Sequence, residues 1–493
     1  MSSTSQDELV DFLRTSLGNE SMLNARSLTR LARRAGHAVD KTVINSVLYR
    51  RSDLFQNDGA IPPNWSLLDV SIAYQARKPY RVGALVLKNW KSFEDVTVAF
   101  GGVTLVYGEN SSGKSALFQA LRVLKDSWGA GDIQLERYGW LEHVIHRHDL
   151  GRQMVLSATW LDDETGDSWT VGLAAAAEDN ALTTTEPIRV VLFFSPEGSV
   201  VLRRSTEDDG WVGKWLPQGT APTDEGSYIS IGSDSDGFPD PDEWLEGRDG
   251  LPPNPEAAEL LAAMLEGGTE LFDSVEFLPP ARPVPPRDIS LSWAEDHAAY
   301  LSDLFEDEGD LQLEVNEWLH RFEIPYTVTI DKYGDDDGDE QFELSLIRDG
   351  AAGEKVQLRD VGFGVSQLLP IIVELLTSRE KTLLIEEPEA HVHPRLQSVL
   401  GDLFVTSNQD YGNVVIVETH SEPLLLRLQR RIAEGRIAAD GVRVLHVLRE
   451  GSASEIRPVG ILQSGQLDYQ WPGGFFDNRM DDLVAIFDPQ QGG

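Results

Sequence analysis

One stretch constrains this chain more than any other: "VTLVYGENSSGKSALFQALRVL", Val103–Leu124. Five strand-forming residues run into Gly108, and the next eight positions match G-x-x-x-x-G-K-[ST] in full. Apolar residues then recur at helical spacing. A strand that turns through glycines directly into a helix points backbone N–H groups at one spot, and the helix N-terminus adds a positive dipole end there. That is a phosphate cradle, and it belongs to α/β folds with a buried parallel sheet. Gly108, Asn110, Gly113, Lys114 and Ser115 are the candidate nucleotide contacts. Lys114 is placed on the β- and γ-phosphates and Ser115 on Mg²⁺. Taken alone, the loop also reads as a Gly/Ser turn with a chance lysine.

A second stretch narrows the choice. In "KTLLIEEPEAHVHP" four strand-forming residues, Thr382–Ile385, stand directly before Glu386 and Glu387. A buried strand of this kind delivers carboxylates to its end. Glu386 is the candidate for holding Mg²⁺, through water, and Glu387 for orienting or deprotonating an attacking water. An isolated pair of glutamates would read as an acidic strand-to-loop transition; beside a full phosphate loop it does not. His420 follows a further apolar run, "NVVIV". His391 and His393 have a metal-pair spacing, but they lie in the loop after the candidate catalytic glutamate and are read as packing residues. From 356 to 448 helical and strand patterns alternate, as in a parallel α/β sheet.

At 493 residues the chain is expected to form two to four domains. It has no cysteine, which excludes disulfides and thiolate metal sites. Its N-terminus lacks the basic and apolar regions of a signal peptide, and no uncharged apolar run reaches membrane-spanning length. A cytoplasmic protein without membrane contact is the expectation. The net charge is −39, yet residues 1–82 carry 11 Lys/Arg against 8 Asp/Glu. An acidic body of this kind repels bulk nucleic acid and leaves any polyanion contact to a local patch. Acidity on this scale also fits solubility or high-salt adaptation.

The domain reading is a small winged-helix domain over 1–76, an N-terminal ATPase lobe with the phosphate loop over 77–165, an acidic inserted α+β arm over 166–345 and a C-terminal ATPase lobe over 346–493. Within the first, helices are predicted over 7–17, 25–35 and 39–51. A hairpin with an Asn-Asp-Gly turn follows in "LFQNDGAIPPNWSLL".

The motifs together resemble an ATPase of the ABC class, on the soluble branch with chromosome-maintenance and DNA-repair ATPases. "NWKSFEDVTVAF", the phosphate loop, "DVGFGVSQLLPI" (Asp360–Ile371) and "ETHSE" (Glu418–Glu422) carry the resemblance. "EEPEAHVHP" and the tail "DYQWPGGFFDNRMDDL" are similar to a prokaryotic subgroup that includes the overcoming-lysogenization-defect ATPases and relatives in anti-phage loci. The resemblance implies a P-loop ATPase with a mixed sheet, ATP and Mg²⁺ as cofactors, and a homodimer or higher assembly with ATP sandwiched between protomers. Gly364 and Ser366 would then act as the signature loop facing the partner's nucleotide, and His420 would contact the γ-phosphate. The signature departs from the usual Leu-Ser-Gly-Gly-Gln order, and Glu386 stands where an aspartate is usual. The glutamine of the Q-loop has no clear match. Relatives with a TOPRIM nuclease carry a Glu-Gly and a downstream Asp-x-Asp; here Glu450-Gly451 lacks the second element and reads as a hairpin turn. Any destructive activity is therefore expected in a separate effector protein, such as a nuclease.

The N-terminal segment carries its own pattern. Lys41, Asn45 and Tyr49 recur at i, i+4, i+8 and form one stripe on the predicted third helix, while Ile44, Val47 and Leu48 face the core. Pro62, Pro63 and Trp65 follow on the hairpin. These six resemble the Z-alpha family, whose winged helices bind left-handed duplexes. That resemblance implies phosphate contacts from Lys41 and Asn45, a ring contact from Tyr49 buttressed by Trp65, and a wing stiffened by the prolines. An ordinary duplex, or a protein partner, is also compatible with the stripe itself.

Overall fold

The structure is a computed structural model. It describes residues 12–13, 16, 23–34, 44, 55–57, 64–67, 80–128, 133–162, 166–176, 190–195, 198–204, 211–217, 229–232, 267–282, 284, 286, 288–290, 299–306, 309–334, 340–350, 354–469 and 471. The chain divides into two compact units. One comprises Met1–Lys78, Pro283–His320 and Ile324–Val361; the other comprises Pro79–Arg282, Arg321–Glu323 and Gly362–Gly493.

In the first unit, β1 (Leu23–Asn24) leads directly into α1 (Ala25–Arg34). The predicted hairpin is present as β2 (Phe55–Asn57) and β3 (Asn64–Leu67), paired antiparallel, and β1 adds a third strand beside β3. Leu13, Leu28, Ala32 and Ile44 are fully buried. Ile44 thus lies on the side the helical pattern assigns to the core.

The second unit holds the phosphate loop. Its strands β4 (Arg81–Trp90) and β5 (Phe93–Ala99) form an antiparallel pair, and β6 (Val103–Gly108) turns into α2 (Lys114–Ser127). After the short α3 (Leu141–Val144) come β7 (Met154–Leu161), β8 (Ser168–Ala175), β9 (Val190–Ser195), β10 (Gly198–Arg204), β11 (Trp211–Pro217) and β12 (Ile229–Gly232). These join β4 and β5 in an eight-stranded antiparallel sheet of order β12-β11-β10-β9-β8-β7-β4-β5. A helical stretch at residues 267–273 then leads into β13 (Val275–Leu278).

The first unit then resumes with β14 (Asp288–Ser290), α4 (Ala299–Glu306), α5 (Asp310–Arg321), β15 (Tyr326–Gly334), β16 (Glu340–Arg348) and β17 (Lys355–Gln357). Its four strands form one antiparallel sheet around β16. The chain returns to the second unit with α6 (Phe363–Thr377), β18 (Thr382–Glu386), α7 (Pro394–Tyr411), β19 (Val414–Glu418), α8 (Glu422–Ala433), β20 (Val442–Glu450), β21 (Ala453–Ile461) and β22 (Leu467–Asp468). The order β13-β18-β19-β6-β20-β21-β22 makes a seven-stranded mixed sheet, parallel from β13 to β20 and antiparallel beyond. The expected α/β P-loop ATPase fold with a mixed sheet is what the chain adopts.

The expected single arm over 166–345 meets a divided segment. β8 pairs along its whole length with β7, and β13 sits in the core sheet beside β18. The strands on either side of "STEDDG" and of "YGDDDGDEQ" pair with each other, so those acidic stretches mark no domain boundary. Glu450-Gly451 is a hairpin turn as read: Glu450 pairs with Ala453, and Gly451 takes φ 65.

The core explains why these strands read as unbroken apolar runs. All of β6 and β19 is buried, as a parallel sheet covered on both faces requires. Helix α2 packs against β4, β7 and β8 of the antiparallel sheet and against β6 of the mixed sheet. Its Leu117, Phe118 and Leu121 share one apolar cluster with Trp90, Phe93, Trp160, Leu384 and Ile416. Trp90 also donates its indole N–H to Ala116 O at 2.8 Å, fixing the first turn of α2 to the end of β4.

Asn413, fully buried, ties the starts of two core strands together. Its Oδ1 accepts from Lys381 N at 2.9 Å, and its Nδ2 donates to Ser378 O and Ser407 Oγ, both at 2.9 Å. Replacing it by alanine removes all three bonds and leaves Lys381 N without this acceptor, while Ser378 O and Ser407 Oγ keep their bonds to Arg379 and Leu375. Asn413→Ala should destabilise the fold by about 2–4 kcal/mol, read as a lowered denaturation midpoint with an unchanged m-value.

Candidate functional site

Three neighbouring parallel strands end at the same edge. Val106 pairs with Glu418, and Glu418 pairs with Glu386, so the phosphate loop and two carboxylates emerge side by side. Ligands of open α/β sheets bind outside these carboxyl ends.

The loop itself is tightly held. Gly113 has φ 114, and a Cβ there would stand 2.8 Å from Ser92 Oγ and 3.2 Å from Phe93 Cζ and Ser454 Oγ. Glycine is therefore needed twice, for its backbone angle and for the space. Ser454, at the start of β21, clamps the arrangement: its N–H donates to Ser92 O at 2.8 Å and its hydroxyl to Ser112 O at 2.5 Å. Asn110 is exposed on the outer side of the loop. Lys114 is buried and folds back, donating to Gly108 O at 3.0 Å and Glu109 O at 2.9 Å. Burial holds its pKa below the ordinary lysine value.

Ser115 donates its hydroxyl to Glu418 Oε1 at 2.9 Å. Glu418 is only 4 % exposed, and its Oε2 is buried with no hydrogen-bond partner. Burial, with Glu386 and Glu387 adding repulsion, pushes its pKa up to about 7 against the bond from Ser115. Burial likewise raises Glu386, with Arg122 and Arg282 pulling the other way. Glu387 takes φ 43, in the left-handed region that non-glycine residues rarely adopt, and its N–H donates to Glu418 O at 2.8 Å. Strain of this kind gathers at functional sites. His420 is exposed and held in place through its backbone, whose N–H donates to Glu389 at 2.6 Å. Partial burial and then the Lys114 charge lower its pKa, which keeps the ring neutral. Ser115 and Glu418 offer hard oxygen donors, and Glu418 Oε2 lacks a partner. Both features fit Mg²⁺.

The signature segment departs from expectation in one respect. A Cβ on Gly364 would meet His391 O at 2.7 Å, so the start of α6 lies hard against the loop after β18. Ser366 is 2 % exposed, facing the interior instead of an open surface. The apolar packing of α6 outweighs a solvent-facing position one turn in. Gln367 is also buried: its Oε1 accepts from Arg282 N at 2.9 Å and its Nε2 donates to Arg282 O at 3.0 Å. Arg282 in turn donates to Glu386 O at 3.0 Å. His393 caps α7, its Nδ1 accepting from Arg395 N at 3.2 Å, in keeping with a packing role. Among the described residues there is no cluster of His, Cys, Asp and Glu that forms a metal centre by itself, and no helix is long and apolar enough to cross a membrane.

Lys114, Ser115, Glu386, Glu387 and His420 are thus brought to one edge with Gly108 and Gly113. Lys41, Asn45, Tyr49, Pro62 and Pro63 lie outside the described residues; the backbone of Trp65 sits in β3, opposite Leu23 and Asn57. Sequence reasoning passed over Glu418, Arg282 and Ser454. Glu418 stood in the quoted "ETHSE" stretch, one residue past the strand's apolar run, which is the same signal that singled out Glu386.

Residues 300–427 match a family described as "AAA domain, putative AbiEii toxin, Type IV TA system", and residues 84–125 match a second AAA-domain family. The chain is similar to the thiamine import ATP-binding protein ThiQ of Chelativorans sp. (strain BNC1), at 31 % identity over 120 residues, or 24 % of this chain and 48 % of that protein. It therefore spans about half the length of the curated relative it matches. Among solved structures, the SMC head bound to the C-terminal winged-helix domain of ScpA aligns with a TM-score of 0.46 at 12 % identity, covering 78 % of this chain and 99 % of that one. The SMC head domain from Thermotoga maritima aligns with a TM-score of 0.37 at 12 % identity, covering 77 % of this chain and 100 % of that one.

The raised pKa of Glu418 has a definite sign. In the fold its carboxyl keeps a proton that the unfolded chain has already lost above the ordinary carboxylate range, so its contribution to stability declines as pH rises towards 7. Glu418→Gln removes that dependence. Without nucleotide, the variant should gain on wild type by on the order of 1–3 kcal/mol between pH 5 and pH 8, measured by denaturant titration at both values.

Proposed function

We propose that this chain binds and hydrolyses ATP at the edge formed by β6, β18 and β19. The observation that carries this reading is the convergence there of Lys114, Ser115, Glu386, Glu387 and His420. Loop N–H groups and the α2 N-terminus cradle the phosphates. Lys114 leaves its carbonyl partners for the β- and γ-phosphates. Ser115 and a strand-end carboxylate hold Mg²⁺, which when bound supplies charge neutralisation for the transferring phosphoryl group. Glu387, its backbone pinned to Glu418, accepts the proton of the attacking water. His420, kept neutral, donates to the γ-phosphate. A second copy completes the site through the start of its α6, around Gly364. With Ser366 inside, that contribution comes from the helix N-terminal N–H groups.

We further propose that residues 1–76 read a nucleic-acid duplex and that the ATPase transmits the reading to a separate effector, in anti-phage defence. The observations favouring this are the Lys41–Asn45–Tyr49 stripe, the Pro62-Pro63-x-Trp65 wing and the local basic balance on an otherwise acidic chain. The stripe's resemblance favours a left-handed duplex, recognised by backbone shape.

For the ATPase, Lys114→Ala should abolish nucleotide binding measured by equilibrium titration. Glu387→Gln should retain binding, lose hydrolysis by at least about 100-fold, and accumulate as a dimer with ATP on a sizing column. Wild-type turnover in that variant would remove Glu387 from the mechanism. For the reader, the chain should bind a left-handed duplex more tightly than a right-handed one of the same length. Lys41→Ala should reduce the salt dependence of binding by about one phosphate contact. Equal affinity for the two duplexes would overturn the conformational preference.

A further inference from the structure

We infer that Glu418 is the carboxylate that meets the divalent cation beside Ser115, a role that sequence reading assigns to Glu386. The inference rests on the ATP reading of this site and specifies which acid serves it.

Three observations converge. Ser115 Oγ, the hydroxyl whose lone pair would face the cation, already lies 2.9 Å from Glu418 Oε1. The two groups form one oxygen pair at the mouth of the phosphate loop. The other oxygen of that carboxylate, Oε2, is buried without a hydrogen-bond partner on a side chain that is 4 % exposed. Buried polar atoms of this kind are uncommon in folded proteins, and an ion is one of the few things that satisfies them. The surrounding charges are also divided. The cations acting on Glu386 are the guanidinium groups of Arg122 and Arg282, and Arg282 is fixed next to it by its bond to Glu386 O at 3.0 Å. The cation acting on Glu418 is Lys114, while Glu386 and Glu387 repel it. Once Lys114 turns to phosphates, Glu418 is left among acids with Ser115 as its hydrogen-bond partner and no cation of its own. Glu386 keeps its arginines. A hard cation held by a serine hydroxyl and a carboxylate supplies the missing countercharge.

The two carboxylates then take separate parts. Glu418 ligates from β19, the strand next to the phosphate loop. Glu386, one strand further on, links the cation's surroundings to Arg282 and, through it, to Gln367 in α6. Glu386 becomes a positioning residue.

The test uses the full chain, a non-hydrolysable ATP analogue and Mn²⁺ as the probe, with bound Mn²⁺ read by electron paramagnetic resonance and analogue binding read separately in chelator. Glu418→Gln should weaken Mn²⁺ binding at least about tenfold and should not weaken metal-free analogue binding, since it removes a negative charge beside the phosphates. Glu386→Gln should weaken Mn²⁺ binding less than Glu418→Gln does. Glu418→Asp, which keeps the charge one methylene further back, should fall between wild type and the glutamine variant. It carries the test if the glutamine variant does not fold, and wild-type Mn²⁺ affinity in it would then overturn the inference. Unchanged Mn²⁺ affinity in Glu418→Gln, or the larger loss in Glu386→Gln, would also overturn it. Failure of the wild-type chain to bind the analogue at all would instead sink the ATP reading, and this inference with it.

Discussion

The hydrogen-bonded register of β18, β19 and β6 governs almost everything chemical in this protein. Parallel pairing of Glu386 with Glu418, and of Glu418 with Val106, brings residues hundreds of positions apart to one edge. A slip of one residue would turn each carboxylate to the opposite face of the sheet. The register is secured by burial on both faces, since every residue of β6 and β19 lies in the core. It is secured again at the far end, where Asn413 joins the starts of β18 and β19 through Ser378 and Lys381. Packing at one end of the sheet thereby sets the geometry at the other.

That geometry is held at a cost. Three glutamates, at 386, 389 and 418, sit where burial opposes their charge. Glu387 takes a backbone conformation that L-residues avoid. Lys114 satisfies itself on carbonyls of its own loop. Without ligand, the carboxylates are held against burial, Glu387 is strained and Lys114 is folded back. Under the proposed function, phosphates and a hard cation would relieve all three conditions together, so binding energy would be available to order the site.

Legibility followed the length scale of each interaction. The phosphate loop was readable because its chemistry is local: glycines, a lysine and a serine at fixed spacing, between a strand and a helix. The Glu386-Glu387 pair was readable because an apolar run announces a strand end. Glu418 follows a run of the same kind, but nothing local says that β19 inserts between β18 and β6, and only that neighbourhood gives its carboxylate Ser115 as a partner. Arg282 was invisible for the same reason, since its bonds to Gln367 and Glu386 span 85 and 104 positions. Ser366 reads in the sequence as a polar residue at a helix start, whereas the fold buries it.

The amino-acid sequence by itself determined that a buried strand must turn through glycines into a helix, that a second strand must end in paired carboxylates, and that the class of fold is α/β with a phosphate-binding edge. Those follow from backbone sterics and from the burial of apolar runs, which act over a few residues. Tertiary structure alone decided which acid stands beside Ser115, that β8 to β12 extend an antiparallel sheet, and that Ser366 faces inward. Each of those depends on strand order and on distant side chains competing for one buried place, and no local spacing encodes that competition.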